Sequence, residues 1–183
     1  MLEKDKQMTD HFMENPLPFL KNGVDQIAII VEDIDRSVTH YERVFGIKPW
    51  HFYTYQKPLV KKMSYNGKPA DHSNRLALSY FGSMRVELIE VNHGDSIYKD
   101  FIKKHGYGIH HLGFLVDNMD EALSLAKKAG FEMIQDGSGF GPDGDGHYAY
   151  LDTEDDFGFT IELIERPKRR HPPERIYPDE KSV

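Results

Sequence analysis

Two stretches of this chain repeat one pattern of apolar and polar positions. From Gln26 the sequence QIAIIVEDIDRSVTHYERVFG opens on strand-like residues, passes an acidic turn and continues with apolar positions at helical spacing. From His111 the sequence HLGFLVDNMDEALSLAKKAG does the same, and the two helical patterns end in Gly46 and Gly130. Val31 matches Val116, Asp35 matches Asp120 and Val38 matches Leu123, all at an offset of 85. A second match follows at an offset of 75, where Glu87-Leu88-Ile89-Glu90 returns as Glu162-Leu163-Ile164-Glu165. The unequal offsets imply a longer middle in the first unit. A period of about 80 residues is too long for a solenoid repeat and reads as duplication of a small module.

Each unit starts on a strand, in which Ile27, Ile29 and Val31 alternate with Gln26, Ala28 and Ile30. A helix is predicted from about Asp35 to Phe45, with Ile34, Val38 and Tyr41 on its apolar stripe. Asp33 or Asp35 suits its N-cap and Gly46 its C-cap. The second helix follows Asp120, with Met119, Leu123, Ala126 and Ala129 on one face. Strands are expected at Pro49–Tyr55, Arg75–Phe81 and Met84–Val91, then at Glu132–Gln135, Tyr148–Leu151 and Phe159–Ile164. The segments Ser64–Asn74 and Asp136–Gly146 read as loops, the second flexible and near the site; its acidic spacing does not fit an EF-hand. The expected fold is α+β: two tandem βαβββ modules, residues 23–95 and 107–166, forming a curved, cleft-bearing mixed sheet with helices on the outside. Residues 1–22 and 167–183 are expected as an N-terminal arm and a C-terminal tail, rich in Pro and charge.

Composition narrows the chemistry. The chain has no cysteine, which removes thiolate nucleophiles, disulfides and Cys-based metal sites. A net charge of −7 argues against a phosphate-backbone binder, so no nucleic-acid partner is expected. The basic run Pro167-Lys168-Arg169-Arg170-His171 can be read as a nucleic-acid or acidic-ligand patch, but a solvated tail is the expectation. No stretch approaches the roughly 20 apolar residues of a membrane span, and the first residues lack the apolar core of a secretory signal. A cytoplasmic protein with no membrane partner is expected.

The repeat singles out four polar residues at matched places in apolar strands. Gln26 and His111 start the first strand of each unit; Glu87 and Glu162 lie in the last. Each is out of phase with the apolar neighbours that should cover the helices, so all four should point into the concavity of the curved sheet. Two carboxylates, an imidazole and an amide oxygen suit one hard or borderline divalent ion per chain (Mg, Mn, Fe, Co, Ni or Zn). Open coordination positions would then admit two substrate oxygens. Glu90 and Glu165, on the opposite face, are expected to be solvated.

The motifs VDQIAIIVEDIDRSVTHYERVFGI, MRVELIEV, GIHHLGFLVDNMDEAL and YLDTEDDFGFTIELIE, in this order, resemble the vicinal-oxygen-chelate (glyoxalase/bleomycin resistance/extradiol dioxygenase) superfamily. The likeness runs from Val24 to about Glu165 and is nearest to the methylmalonyl-CoA epimerase subgroup. It implies paired βαβββ modules around a cleft, a divalent metal and a homodimer. Epimerases of that subgroup carry His, Gln, His and Glu, where this chain has Gln26, Glu87, His111 and Glu162. Their second catalytic carboxylate falls at about Ala77. Some glyoxalases I use Gln, Glu, His, Glu, but their glutathione-binding side chains fall at about Ile30, Val91 and Tyr107. Extradiol dioxygenases need two His and a carboxylate, a set that Gln26 breaks.

The expected function is a metal-dependent isomerase, epimerase or lyase acting by proton transfer next to a carbonyl. Its substrate would be a small molecule with vicinal oxygens, an acyl-CoA or an oxo compound. Glu162 and Glu87 are the candidate base and conjugate acid. His51, Tyr53, Tyr80 and His147 are candidate polar groups lining the cleft. The alternatives are a glyoxalase I-like lyase acting on a thiol adduct and a non-catalytic, resistance-type binding protein.

Overall fold

A computed structural model describes residues 17–179. The strand sequence is β1 Gln26–Ile30, β2 Trp50–Tyr55, β3 Lys62–Tyr65, β4 Lys68–Pro69, β5 Ser73–Phe81, β6 Met84–His93, β7 Gly108–Leu115, β8 Met133–Ser138, β9 His147–Leu151, β10 Thr160–Glu165 and β11 Arg175–Tyr177. The helices are α1 Ile34–Phe45, α2 Ile97–His105, α3 Met119–Lys128 and the single turn α4 Glu154–Phe157, preceded by a 3₁₀ turn at Pro18–Asn22. No described helix is long and apolar enough to cross a membrane.

All eleven strands form one curled sheet in the order β11-β2-β5-β6-β1-β7-β10-β9-β8-β3-β4. The first strands of the two modules, β1 and β7, pair antiparallel at its centre. Each also pairs parallel with the last strand of its own module, β1 with β6 and β7 with β10. The sheet is mixed, and a pseudo-twofold relation passes between β1 and β7. Gln26 lies opposite Gly113, and Ala28 opposite His111, so each module's polar residue faces a small residue of the other.

The helices start and stop for local reasons. The Asp33 carboxylate accepts the Arg36 amide at 2.9 Å, and Gly46 ends α1 in the left-handed conformation at φ 69°. The Asn118 side chain accepts the Glu121 amide at 3.0 Å at the start of α3. On the convex side, Ile34 and Val38 of α1 pack with Trp50, Ala77, Val86 and Leu88. Met119, Ala122 and Ala126 of α3 pack with Ala149, Leu151, Ile161 and Leu163. Both helices are thus outside the sheet.

Three features depart from the expected modules. The stretch expected as a loop at Ser64–Asn74 holds the end of β3, all of β4 and the start of β5. The β3–β4 hairpin leaves module one, crosses the concavity and pairs through β3 with β8, the far edge of module two. Residues 96–106, to which no element was assigned, form α2, capped by Ser96, and its Ile97 and Tyr98 fill the concave core beside Ala28, Ile30 and Ile89. The terminal segments join the body: Leu17 is buried under α3, and β11 pairs with β2, with the Arg175 guanidinium 3.9 Å from the centre of the Phe52 ring. Residues 1–16 of the expected arm, and 180–183 of the tail, lie outside the described residues. Strand β8 runs to Ser138, which shortens the second expected loop to residues 139–146. That loop is tethered, for Asp145 accepts the Lys168 amide at 2.8 Å and Asp143 pairs with Arg169.

Candidate metal centre

Strand alternation places one face of the central strands in the concavity. On β6 that face carries Arg85, Glu87 and Ile89; on β1 it carries Gln26, Ala28 and Ile30; on β7 and β10 it carries His111 and Glu162. The four residues singled out by the repeat meet there, all buried. Gln26 Nε2 donates to Glu87 Oε2 at 2.9 Å and to Glu162 Oε2 at 3.0 Å. His111 Nε2 lies 3.1 Å from Glu162 Oε2 and 3.5 Å from Glu87 Oε2. One ligand atom from each of Glu87, His111 and Glu162 falls within 4.8 Å of the others, a cluster able to hold a metal ion.

Supporting residues fix these side chains. Tyr150 lies opposite Glu162 on β9, and its hydroxyl donates to Glu162 Oε1 at 2.9 Å. Tyr98 of α2 in turn shares a hydrogen bond with the Tyr150 hydroxyl. The Nδ1 atoms of His110 and His111 are 2.9 Å apart, so one ring donates to the other. With His111 Nδ1 as the donor, a neutral ring leaves its Nε2 lone pair free for a cation placed between it and the two carboxylates. A Cβ at Gly113 would sit 3.0 Å from both Glu162 Oε2 and the Gln26 side chain, and 2.8 Å from Ile164, so the glycine keeps room for the cluster.

The electrostatics follow from burial. Burial alone would lower the His111 pKa, but the charges of the neighbouring Glu162 and Glu87 carboxylates overcome it and raise it to about 9. Burial raises the pKa of Glu87, and repulsion from Glu162 adds to it. Burial also holds Tyr98, Tyr148 and Tyr150 well above the usual phenol range, which keeps them donors, and holds His110 well below the usual imidazole range, which keeps it neutral.

The donor set fits a divalent ion. Among the described residues, His111 Nε2 is buried without a hydrogen-bond partner although two carboxylate oxygens stand beside it. Two facing carboxylates with an imidazole nitrogen between them match the charge and donor preference of a dication. Gln26 can offer Oε1 in place of Nε2 by rotating its terminal amide, a soft and roughly two-fold torsion.

Several expectations from the sequence find other places. His51, Tyr53 and Tyr80 line a cavity of about 440 Å³ next to Arg85. His147 does not join them: its Nε2 lies 2.8 Å from Asp136 Oδ2, toward the far edge of module two. Glu90 and Glu165 are not simply solvated. Glu90 Oε2 accepts the Ile34 amide at 2.8 Å and Glu165 Oε2 accepts the Met119 amide at 2.7 Å, so each closes the N-terminus of its own module's helix. Ala77 faces the α1 layer, away from the cluster. Sequence reasoning missed Tyr150, His110 and Arg85; the repeat offered no signal for them, because none is matched by a polar residue of like kind in the other module.

Comparison with known proteins agrees with this architecture. Residues 25–150 match the family model for the glyoxalase/bleomycin resistance protein/dioxygenase superfamily. The chain belongs to that superfamily. The match ends before Glu162. An uncharacterized protein of Bacillus subtilis, YqjC, is 27% identical over 150 residues, covering 82% of this chain and 96% of that one. A hypothetical protein of Bacillus halodurans superposes with a TM-score of 0.57 at 23% identity, covering 81% of this chain and 97% of that one. Methylmalonyl-CoA epimerase from Mycobacterium tuberculosis gives 0.55 at 21%, with 80% and 89% covered. A Streptomyces coelicolor methylmalonyl-CoA epimerase variant in complex with 2-nitronate-propionyl-CoA gives 0.56 at 21%, with 82% and 98% covered. At these identities the structural likeness speaks for the fold.

Proposed function

We propose that this superfamily member is a metal-dependent isomerase, epimerase or lyase that moves a proton next to a carbonyl. The observation that carries the reading is the buried meeting of Gln26, Glu87, His111 and Glu162, with the His111 Nε2 left without a hydrogen bond. A divalent cation held there supplies Lewis-acid polarisation of two substrate oxygens. Gln26, Glu87, His111 and Glu162 are the proposed ligands. Glu162 and Glu87 are the proposed base and conjugate acid, since both are carboxylates that face the proposed metal position. Tyr150 ties down one oxygen of Glu162 and orients it. Among the described residues Glu87 receives only the Gln26 amide, which leaves it more freedom to turn toward substrate. The surrounding Tyr98, Tyr148 and Tyr150 are buried and exclude bulk water from these groups.

Epimerases among the fold neighbours, one in complex with methylmalonyl-CoA, put acyl-CoA esters first among the substrates to test. A cytoplasmic homodimer completes the proposal. The exposed rings of Phe45 and Phe81, 6.5 Å apart, support a partner surface, and light scattering that gave a monomer at micromolar concentration would remove that part. The deciding experiment screens acyl-CoA esters and 2-oxoaldehyde–thiol adducts for deuterium uptake from solvent. Uptake should require a divalent ion and fall about 10²-fold in Glu162→Gln, the scale of losing a general base. Uptake that survives thorough chelation would overturn the metal reading. Metal binding without exchange on any such substrate would favour a thiol adduct of another kind or simple ligand sequestration.

A further inference from the structure

Beside the metal cluster lies a charge that the proposed chemistry leaves unused. Arg85 sits on β6 two residues before Glu87 and is only 4% exposed. Its Nε and Nη2 are buried with no hydrogen-bond partner among the described residues, and no described carboxylate lies within 4.0 Å of its guanidinium. A buried, unpaired guanidinium is among the most destabilising features a fold can carry, so its presence calls for a counter-group. The cavity of about 440 Å³ that it borders is walled also by Lys48, His51, Ser79 and Arg170, with no acidic residue among its lining. Arg170 comes from the basic run after the second module, which thus folds back to this cavity instead of trailing in solvent.

We propose that this cavity is the subsite for an oxyanion, a carboxylate or phosphate group, carried by the substrate of the neighbouring Glu87–His111–Glu162 centre. The proposal rests on the metal-centre reading for its placement of the reacting atoms. Two residues along a strand span roughly 7 Å. An anionic group on Arg85 therefore lies a few bonds from oxygens bound near Glu87, the separation within a small acid or phosphorylated oxo compound. Charge balance points the same way. With a dication matched to Glu87 and Glu162, and Lys48 paired with Glu42 at 3.2 Å, Arg85 and Arg170 have no counter-charge left among the described residues. The planar fork of a guanidinium suits two oxygens of one oxyanion. Thr160 occupies the place of Arg85 in module two, so only one end of the cleft attracts an anion.

The test uses the full chain after chelation, so that a probe cannot report through the metal. Inorganic phosphate, propionate and the neutral propionamide are titrated by calorimetry and by thermal unfolding. Phosphate or propionate should raise the unfolding temperature of the wild type in a dose-dependent way, propionamide should not, and the stronger of the two anions identifies the substrate group. Arg85→Met should unfold at a higher temperature than wild type without anion, and should bind the favoured anion at least tenfold more weakly. Arg170→Gln, a change at an exposed side chain, should weaken binding several-fold, and it decides the matter if Arg85→Met does not fold. Binding unchanged in both variants, or propionamide bound as well as propionate, overturns the proposal. Metal titration of the same proteins separates the two readings. Stoichiometric metal uptake in Arg85→Met with loss of anion binding supports both; Arg85-dependent anion binding in a chain that takes up no metal upholds the anion subsite and removes the metal centre.

Discussion

Module two grips its carboxylate, and module one leaves its own comparatively loose. On β9, Tyr150 stands opposite Glu162 and donates to it; on β5, Leu78 stands opposite Glu87 in the corresponding place. The same contrast holds at the first strands, where His111 offers a nitrogen with one defined lone pair and Gln26 an amide that can turn either way. Two residues before the carboxylate, module two has Thr160 and module one the buried Arg85. Duplication supplied the framework of the site, and divergence gave its halves different work. On the proposed function, module two would hold the ion and module one would meet the part of the ligand that reacts or carries charge.

The sharpest way to break that comparison is to remove the matched first-strand ligands one at a time. His111→Ala should cut divalent-metal affinity by orders of magnitude with the fold retained, whereas Gln26→Ala should cost about tenfold, the scale of a weak or supporting ligand. Chelator competition measures both. Equal losses would mean that the two modules contribute alike and that the asymmetry lies elsewhere.

Next in size is the phenol that distinguishes the carboxylates. Tyr150→Phe removes the hydrogen bond to Glu162, and with it the one shared with the Tyr98 hydroxyl, but nothing of the ring's packing against Tyr98 and Tyr148. Metal affinity should fall about 10- to 100-fold, as for other partners that orient ligands. Affinity within twofold of wild type would show that Glu162 needs no such support, and Glu162 and Glu87 would then be equivalent.

The last residue of each repeated tetrapeptide tests what the modules still share. Glu90 and Glu165 each close the N-terminus of a helix, and Glu90 also receives Arg75 Nη1 at 3.1 Å. Replacing either with Gln should cost about 1 kcal/mol of stability, somewhat more for Glu90, and leave metal affinity unchanged. Urea unfolding of the two variants checks this. A loss of metal affinity in Glu165→Gln would place its carboxylate on the wrong face of β10.

How far the sequence could lead is visible in these residues. Gln26, Glu87, His111 and Glu162 were legible because duplication marks them twice and strand alternation fixes their face. Glu90 and Glu165 were read as facing away, which is right, but their caps depend on where α1 and α3 start relative to the end of the sheet. Period-two reasoning holds no information on that distance. The α2 helix was missed because Ile97, Tyr98, Phe101 and Ile102 lie outside the repeat, in a connection short enough to pass for a linker. The β3–β4 hairpin was missed for a different reason. Its pairing partner, β8, is some 70 residues away in the other module, and no local pattern names a distant edge.

That hairpin is the largest structural difference between the modules, and its seam offers the finest of the tests. Module one sends β3 to the edge of module two, where the Ser64 hydroxyl donates to Asp136 and His147 Nε2 meets the other carboxylate oxygen at 2.8 Å. Burial alone would raise the pKa of Asp136, but the hydrogen bonds from His147 and Ser64 outweigh it and hold the carboxyl below its ordinary 3.8. A carboxyl depressed in the folded state stabilises the fold fully above its unfolded pKa, and that contribution is lost as pH falls through the lower, folded value. Asp136→Asn keeps an oxygen for Ser64 but removes the charge. It should cost about 1 kcal/mol at neutral pH. The gap between wild type and variant, measured by urea unfolding, should then narrow as the pH is lowered from about 5 through the depressed folded pKa, below which protonation of Asp136 makes the wild type resemble the variant. Other carboxylates titrate in both proteins and cancel in the difference. A gap that stays constant or widens over that range would show that the charge on Asp136 does not hold the hairpin, and that backbone pairing between β3 and β8 alone joins it to module two.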